Sequence, residues 1–243
     1  MWAGSILLLV VGLIPFGARA LTVSPPKIEI TGDPGKTISG SFLLINEQDS
    51  TKKFYTTFEN FEAQGESGTP KFTPGTTGLG SWMHAVATVV IAPGEQKDIP
   101  FTISIPKNAE PGGHFGAIFL GTSPPESEGG GQVSVGAKVG ILILLRVSGA
   151  VKEGANLLEF RAQDRFTSSL PATLFYRIQN GGGDRLKPSG EVTIRNTVGL
   201  KSAQLPANKA ESNVLPLSTR KFTILWSDDE RSTTPRLPHR RFW

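Results

Sequence analysis

The stretch IPFTISIPKNAEPGGHFGAIFLG, from Ile99 to Gly121, is the part of the sequence that decides the fold. Apolar residues alternate with polar or proline residues at its start, and a period of two places the apolar side chains on one face of a β-strand. A segment with turn chemistry, Lys107–Gly112, precedes a second apolar strand, His114–Leu120, because Pro111 fixes φ and the glycines accept positive φ. The stretch predicts a β-hairpin inside an all-β domain. The alternating apolar residues are Ile99, Phe101, Ile103 and Ile105.

Short apolar segments between turns fill the rest of the sequence as well. The 28 glycines and 18 prolines are spread along the chain, as in folds with many short strands joined by tight turns. The segment Val133–Val147 is the most apolar outside the N-terminus, which predicts a strand buried on both faces or shared between two sheets. Segment Gly65–Gly80 is predicted to be a loop. The other predicted strands are Val23–Ile30, Ile38–Asn46, Phe54–Phe61 and Trp82–Ile91.

The second half of the sequence repeats the first. LPATLFYRIQNGGGDRLKPSGEVTIRN has the strand, polar loop, strand order of the first half, and Asn180 falls where Asn46 fell. VLPLSTRKFTILW matches VIAPGEQKDIPFTISI, with a proline turn before an alternating strand. The matched pairs are Ile38–Asn60 with Leu170–Asn196, and Val90–Ile105 with Val214–Trp226. Two matches in the same order predict two similar β modules in tandem.

The two ends of the sequence have compositions of their own. Residues 1–20 pair an apolar run with an A-x-A-like site at Ala18–Ala20, which predicts a cleaved secretory signal peptide, with an uncleaved anchor as the alternative. Residues 21–147 are predicted to form the first sandwich and residues 148–230 the second. Residues 231–243 are a basic tail that is predicted to be disordered.

The second module is predicted to be incomplete. No segment after Trp226 corresponds to His114–Leu120 or to Val133–Val147. A sandwich without its last two strands exposes an edge and part of its core. The hypothesis is therefore that the C-terminus is truncated or read in a shifted frame, and the alternative is a disordered tail on a small second domain.

Charge and composition exclude several classes of function. The formal net charge is +4, but the excess lies at the ends, since residues 21–230 carry 20 bases and 21 acids. A nucleic-acid partner is therefore not expected. Cysteine is absent, which excludes disulfides, thiol catalysis and Cys-ligated metals.

Residues with catalytic or binding chemistry are few. The sequence has no nucleophile elbow, zinc-protease motif or phosphate loop, and its three histidines are far apart without an acid at ligand spacing. We therefore expect no enzyme activity, no cofactor and no metal site. Candidate ligand-binding residues are aromatic or amphipathic groups beside loops, which could stack on sugar rings or bind a partner, although a tryptophan at a strand start is more often core. They are Trp82, His84, His114 and Phe115.

Two resemblances to known families rest on the quoted segments. IPFTISIPKNAEPGGHFGAIFLG, together with LTVSPPKIEITGDPGKTISGSFLLIN at Leu21–Asn46, resembles the peptidoglycan-binding module of WxL-interacting bacterial cell-surface proteins. This resemblance implies an immunoglobulin-like β-sandwich. The pairing of FTISIPKNAEPGGHFGAIFL with VSVGAKVGILILLRV is similar to the last strands of periplasmic pilus chaperones, which offer an apolar strand to a subunit. The sequence departs from that family in that it does not identify the chaperones' cleft Arg and Lys, for which Lys27 and Lys138 are candidates by position alone.

The sequence thus predicts two immunoglobulin-like β-sandwich modules in tandem, the second incomplete. The predicted function is that of an exported cell-envelope binding or structural protein, without a transmembrane helix in the mature chain, that recognises cell-wall peptidoglycan or a surface-protein partner. The alternative is a periplasmic-type chaperone that acts by strand addition.

Overall fold

The computed structural model describes residues 21–124, 138–164 and 170–227. These residues are almost entirely β, which confirms the predicted fold class. Within them the single helix is α1 (Gly78–Trp82). The strands are β1 (Leu21–Ser24), β2 (Lys27–Gly32), β3 (Thr37–Asn46), β4 (Lys52–Gln64), β5 (Thr69–Pro74), β6 (Met83–Ala85), β7 (Thr88–Ile91), β8 (Gln96–Ser104), β9 (Gly112–Gly121), β10 (Lys138–Val147), β11 (Ala155–Ala162), β12 (Ala172–Asn180), β13 (Glu191–Arg195), β14 (Lys201–Pro206) and β15 (Thr219–Trp226).

Strands β1 to β10, here called the N-terminal module, form two facing sheets. The four-stranded sheet has the order β1-β3-β8-β6, and the six-stranded sheet has the order β2-β10-β9-β4-β5, with β7 also paired to β4. The alternating apolar residues of both sheets meet between them in one hydrophobic core. Its fully buried members include Phe42, Phe54, Phe101, Leu44, Ile99, Ile103, Ile118, Leu120 and Ile141.

The segment Ile99–Gly121 does not form the predicted hairpin. Strand β8 pairs with β3 and β6, whereas β9 pairs with β10 and β4 in the opposite sheet. The hairpin prediction is therefore wrong, and the connection is an arch across the core. Facing sheets lie about 10 Å apart, a gap that the connection between Ser104 and Gly112 spans. A period of two identifies the apolar face of each strand, but it does not distinguish strands side by side from strands face to face.

Two further segments differ from the prediction. The predicted loop Gly65–Gly80 contains β5 and the start of α1, and β5 carries Pro70 and Pro74, which an edge strand tolerates because its outer N–H groups need no partner. The predicted single strand Trp82–Ile91 contains the end of α1 and two short strands. Of these, β6 pairs with β8 and β7 pairs with β4, so the chain crosses from one sheet to the other between them.

The first predicted strand, Val23–Ile30, is divided at its two prolines. Before Pro25 the chain forms β1 in the four-stranded sheet, and after Pro26 it forms β2 in the six-stranded sheet, parallel to β10. Both strands are sheet edges, as expected for segments that adjoin proline. Strand β10 is buried between β9 and β2 from Leu142 onward, while residues 133–137 lie outside the described residues.

Strands β11 to β15, here called the C-terminal module, form a second pair of sheets. The three-stranded sheet β11-β12-β15 faces the two-stranded sheet β13-β14 across a separate core. In that core the rings of Tyr176 and Phe222 stack with centroids 4.8 Å apart. The division of the chain at residue 147 stays a prediction, and the predictions for residues 1–20 and 231–243 concern residues that the structure does not describe.

The predicted sequence repeat is visible in the hydrogen bonds of Asn46, which is fully buried at the end of β3. Its Nδ2 donates to the carbonyl oxygens of Ser50 at 3.0 Å, Ile91 at 3.2 Å and Ala92 at 3.1 Å. Its Oδ1 accepts from the backbone N–H of Gln48 at 3.1 Å. One side chain thus joins the end of β3 to the loop after it and to the turn before β8.

Asn180 repeats this arrangement at the end of β12. Its Nδ2 donates to the carbonyl oxygens of Asp184 at 2.7 Å and Val214 at 2.9 Å, and its Oδ1 accepts from the N–H of Gly182 at 2.8 Å. In both modules the asparagine side chain bonds to the backbone N–H two residues further on and to the carbonyl oxygen four residues further on. In both it also bonds to a carbonyl oxygen at the turn before the last paired strand, which is β8 in the first module and β15 in the second. The two modules are therefore built on one local design.

The repeat includes a turn whose third residue has positive φ in both copies. Gly94 has φ of 71° in the first copy, and Leu217 has φ of 53° at the corresponding place in the second. A left-handed conformation costs a residue with a Cβ about 1–2 kcal/mol. Leu217 is also 85% exposed, so its side chain gains little from packing.

Replacing Leu217 by glycine is expected to raise the free energy of unfolding by about 1 kcal/mol, since relief of the left-handed strain exceeds the added chain entropy of glycine. Urea unfolding of the two proteins would measure the difference. The matched change in the other copy, Gly94→Leu, should act in the opposite direction. A Leu217→Gly protein that is less stable than the wild type would contradict the assigned conformation.

Candidate functional site

The structure brings two of the four predicted ligand-binding residues together. The Trp82 ring at the end of α1 lies 4.7 Å from the ring of His114, between centroids, at the start of β9. The Nε2 atom of His114 lies 2.8 Å from the carbonyl oxygen of Glu110. Trp82 also packs against the N-terminal core, so part of its surface serves the fold.

The other two predicted residues lie elsewhere. Phe115 follows His114 on β9 and so points to the opposite face of the sheet, where its ring lies 5.8 Å from that of Phe61. His84 is exposed on β6, an edge strand of the four-stranded sheet. The four residues are therefore divided among three surfaces, and their role in binding stays a prediction.

An unpaired sheet edge runs along the first half of β10. On one side, β9 pairs with all of β10 from Lys138 to Val147. On the other side, β2 pairs only from Leu142 onward. Within the described part of the chain, residues Lys138 to Ile141 therefore have no strand partner on that side, and we call this side of the four residues the open edge.

The direction of the backbone groups follows from the ladder. The N–H of Leu142 donates to the carbonyl oxygen of Pro26 at 3.0 Å, so Leu142 points its backbone groups toward β2. Because this direction alternates along a strand, Lys138 and Gly140 point their N–H and C=O groups to the same side. The open edge thus presents two donors and two acceptors to an incoming strand.

The outer face of the six-stranded sheet is aromatic next to the open edge. Phe119 is the register partner of Gly140, and its ring lies 4.9 Å from that of Phe72 in an edge-on contact. Lys138 Nζ lies 3.8 Å from the centroid of the Phe119 ring and forms an ion pair with Glu59. The charge of Lys138 is thus balanced within the sheet, and the open edge is neutral.

A cleft of about 180 Å³ lies between the outer face of the six-stranded sheet and the C-terminal module. Phe61, Leu142 and Leu144 line it from the N-terminal module, and Asn213 and Arg220 line it from the C-terminal module. Arg220 donates to the carbonyl oxygen of Asn213 at 2.9 Å, and burial lowers the pKa of its guanidinium. It forms no ion pair with any of the described acidic residues.

Glu29 on β2 joins the two modules beside the cleft. Its carboxylate lies 2.7 Å from Nζ of Lys27, accepts a hydrogen bond from Nδ2 of Asn213 at 2.9 Å, and lies 3.6 Å from Arg185 and 3.7 Å from Lys187. Burial raises the pKa of Glu29, but the hydrogen bonds and charges of these partners outweigh it and lower the pKa to about 2. Glu29 is therefore ionised at neutral pH, and it forms ion pairs with basic side chains of both modules.

The two lysines at the positions of the chaperones' cleft pair lie apart. Lys27 is in register with Leu142, four residues along β10 from Lys138, which corresponds to about 13 Å in a strand. Each is already paired with an acid, Lys27 with Glu29 and Lys138 with Glu59. The resemblance therefore does not identify a shared cationic site at these residues.

The described residues contain neither a candidate metal site nor a membrane-spanning helix. Among them, no group of three or more histidine, aspartate or glutamate side chains could hold a metal ion. In the same ranges, no helix has the length and apolar content that crossing a membrane requires.

Comparisons with known proteins find similarity in structure alone. No family model and no curated protein matches the sequence. The class 5 fimbriae chaperone CfaA is similar with 12% identity over 86% of this chain and 93% of its own, with a TM-score of 0.46. The E. coli chaperone DraB is similar with 12% identity over 85% of this chain and 86% of its own, with a TM-score of 0.41.

A chain of the CsuC–CsuE chaperone–subunit complex of Acinetobacter baumannii is similar with 12% identity over 85% of this chain and 91% of its own, with a TM-score of 0.42. The names of these three structures refer to chaperones, as in the second of the two resemblances, and do not refer to a peptidoglycan-binding module. At such identities the likeness concerns the fold alone.

Proposed function

We propose that this protein binds an extended apolar segment of another protein by adding it as a strand to the open edge, as a chaperone of exported proteins would. The observation that carries the proposal is the difference between the two ladders of β10. The ladder with β9 covers the whole strand, and the ladder with β2 leaves Lys138 to Ile141 uncovered. The described backbone groups along this edge match those of an incoming strand.

The sequence of the open edge also supports strand addition. Proteins usually protect sheet edges with unpaired charges, prolines or bulges, because a bare edge pairs with other chains. Here the edge has neither a proline nor a bulge, and its one charge, Lys138, is balanced by Glu59. An edge that lacks these protective features is suited to pair with a strand of another protein.

The chain path next to the edge leaves room for the added strand. After β1 the chain passes Pro25 and Pro26 and joins the other sheet, so among the described residues no strand continues the row of β2 beside Lys138 to Ile141. Val139 and the β1 residues Leu21 and Val23 are only partly buried against the N-terminal core there. An added strand would cover them with its own apolar side chains, which favours a segment with alternating apolar residues.

Wall-glycan recognition, the first function predicted from the sequence, has less support. It requires aromatic rings on one surface, and Trp82, His84, His114 and Phe115 are divided among three. The proposed function involves no catalysis. It places the protein outside the cytoplasm, in agreement with the predicted signal peptide of residues 1–20.

Replacing Lys138 by proline is expected to weaken the binding of an extended peptide about tenfold, because one backbone donor of the open edge is lost. The N–H of Lys138 points away from β9, so the ladder that holds β10 in the sheet is kept. The probe is a short synthetic peptide of alternating valine and threonine, and its affinity can be measured by fluorescence anisotropy.

The matched control is Lys138→Ala, which removes the same side chain and keeps the N–H. It should bind the peptide within about twofold of the wild type, since the lost contacts, an ion pair with Glu59 and a cation–π contact with Phe119, are partly exposed and involve no backbone group of the open edge. Equal weakening by both variants would assign the effect to the side chain. Absence of peptide binding to the wild-type protein would contradict the proposed function.

A further inference from the structure

We propose that the open edge selects segments with an aromatic or other large apolar side chain at the position opposite Gly140, where it packs on the ring of Phe119. This inference rests on the proposed function and names the chemistry of the segment that is bound. Three observations support it: Gly140 has no side chain beneath the Phe119 ring, the sheet face beside it is aromatic, and the charge of Lys138 is balanced by Glu59.

Gly140 is the residue of the open edge over which Phe119 lies. A Cβ atom on Gly140 would be 2.5 Å from Cδ1 of Phe119 and 2.5 Å from the carbonyl oxygen of Ile118. The Phe119 ring therefore occupies the space that a side chain at position 140 would fill. The Cδ1 and Cε1 atoms on one side of the ring are the ones that lie over Gly140, with Cε1 3.0 Å from such a Cβ.

An added strand would place one residue in register with Gly140, and its side chain would point to the same face of the sheet. No side chain at position 140 would separate it from the Phe119 ring. Adjacent strands lie about 4.8 Å apart, so the added residue is two strand spacings from the backbone of β9. A large side chain reaches the ring over that distance, whereas an alanine methyl does not.

The surroundings of Phe119 favour a neutral side chain. One side of its ring contacts Phe72 at 4.9 Å, and Nζ of Lys138 lies over it at 3.8 Å. Because Lys138 is paired with Glu59, an acidic residue in the added strand would have to compete with Glu59 for the same ammonium group. Aromatic side chains gain from ring contacts without that competition.

The test uses the valine–threonine peptide with one guest residue at each threonine position in turn. The wild-type protein is expected to bind the best phenylalanine guest about fivefold more tightly than the alanine guest at the same position, with leucine between them. In the Phe119→Leu protein the preference for phenylalanine over alanine should fall to about twofold or less. Phe119→Leu keeps most of the buried volume, so the fold is maintained.

The matched control is Phe115→Leu, which changes a phenylalanine on the same face of β9. Phe115 is in register with Leu144, which is beyond the open edge, so the guest preference should be unchanged. Equal binding of all guests by the wild-type protein would overturn this inference and leave strand addition intact. A preference that persists in Phe119→Leu would also overturn it, and binding of no peptide would overturn both proposals.

Discussion

Replacing Asn46 by alanine is expected to lower the free energy of unfolding by about 3–5 kcal/mol. The side chain is fully buried: the two Nδ2 hydrogens are shared among three backbone carbonyl oxygens, and Oδ1 accepts from the N–H of Gln48. Alanine removes these bonds, of which the one to Ile91 is buried, and a backbone group left buried and unsatisfied costs about 1–3 kcal/mol. Urea unfolding of both proteins under the same conditions would measure the loss.

Two further variants test the interpretation of Asn46. Asn180→Ala removes two donated bonds and one accepted bond, and it should cost about 2–4 kcal/mol in the unfolding of the C-terminal module. Asn156, exposed on β11, is the control, and its change to alanine should cost less than about 0.5 kcal/mol. A loss below about 1 kcal/mol for Asn46→Ala would mean that water replaces the side chain.

The equivalence of Asn46 and Asn180 could be predicted from the sequence, because it depends only on the order of residues within a short segment. In each copy an apolar strand ends in asparagine, and a polar loop follows. The side chain of such an asparagine bonds to backbone groups two and four residues further on, which the sequence places within reach. The repeat therefore carries information about structure that single strands lack.

The pairing of strands could not be predicted in the same way. Ile103 and Ile118 are both fully buried, and their alternating patterns are as consistent with one sheet as with two facing sheets. The structure places them in opposite sheets. The choice depends on contacts far apart in sequence, such as those of β9 with β4 and β10, which no local pattern contains.

The candidate site was only partly visible in the sequence. The apolar run Val133–Val147 identified the strand, but the number of its residues that pair with β2 depends on where the chain turns at Pro25 and Pro26. Gly140 could have been singled out, since an isolated glycine inside a strand pattern marks a close approach of other atoms. Phe119 could not, because its register with Gly140 appears only in the folded sheet.

The contact between the modules depends on charges from distant parts of the sequence. Besides Glu29, Arg146 of β10 donates to Asp184 at 2.6 Å, and Arg177 of β12 forms an ion pair with Glu66. These pairs position the C-terminal module against the outer face of the six-stranded sheet. Glu29 has the largest number of these partners, so its loss should have the largest effect.

Replacing Glu29 by glutamine is expected to lower the free energy of unfolding by about 2 kcal/mol at neutral pH. This value is smaller than the full free energy of the pKa shift, because the carboxylate is partly exposed and solvent screens its charge. The pKa of Glu29 is lowered from 4.5 to about 2 by its hydrogen bonds and charged partners, against the effect of burial. A group with a lowered pKa stabilises the fold above its unfolded value, and this contribution is lost as the pH falls toward the folded value. Glutamine cannot titrate, so the variant lacks this dependence.

The measurement is urea unfolding of both proteins at neutral pH and at several values between 4.5 and about 2. The stability difference should be greatest at neutral pH and should shrink across this range. Glu62→Gln is the control, because Glu62 pairs with Lys71 on an exposed surface and should change stability by less than about 0.5 kcal/mol. A difference that stays constant down to the lowest pH would mean that Glu29 acts by shape and hydrogen bonding, and that its charge does not hold the modules together.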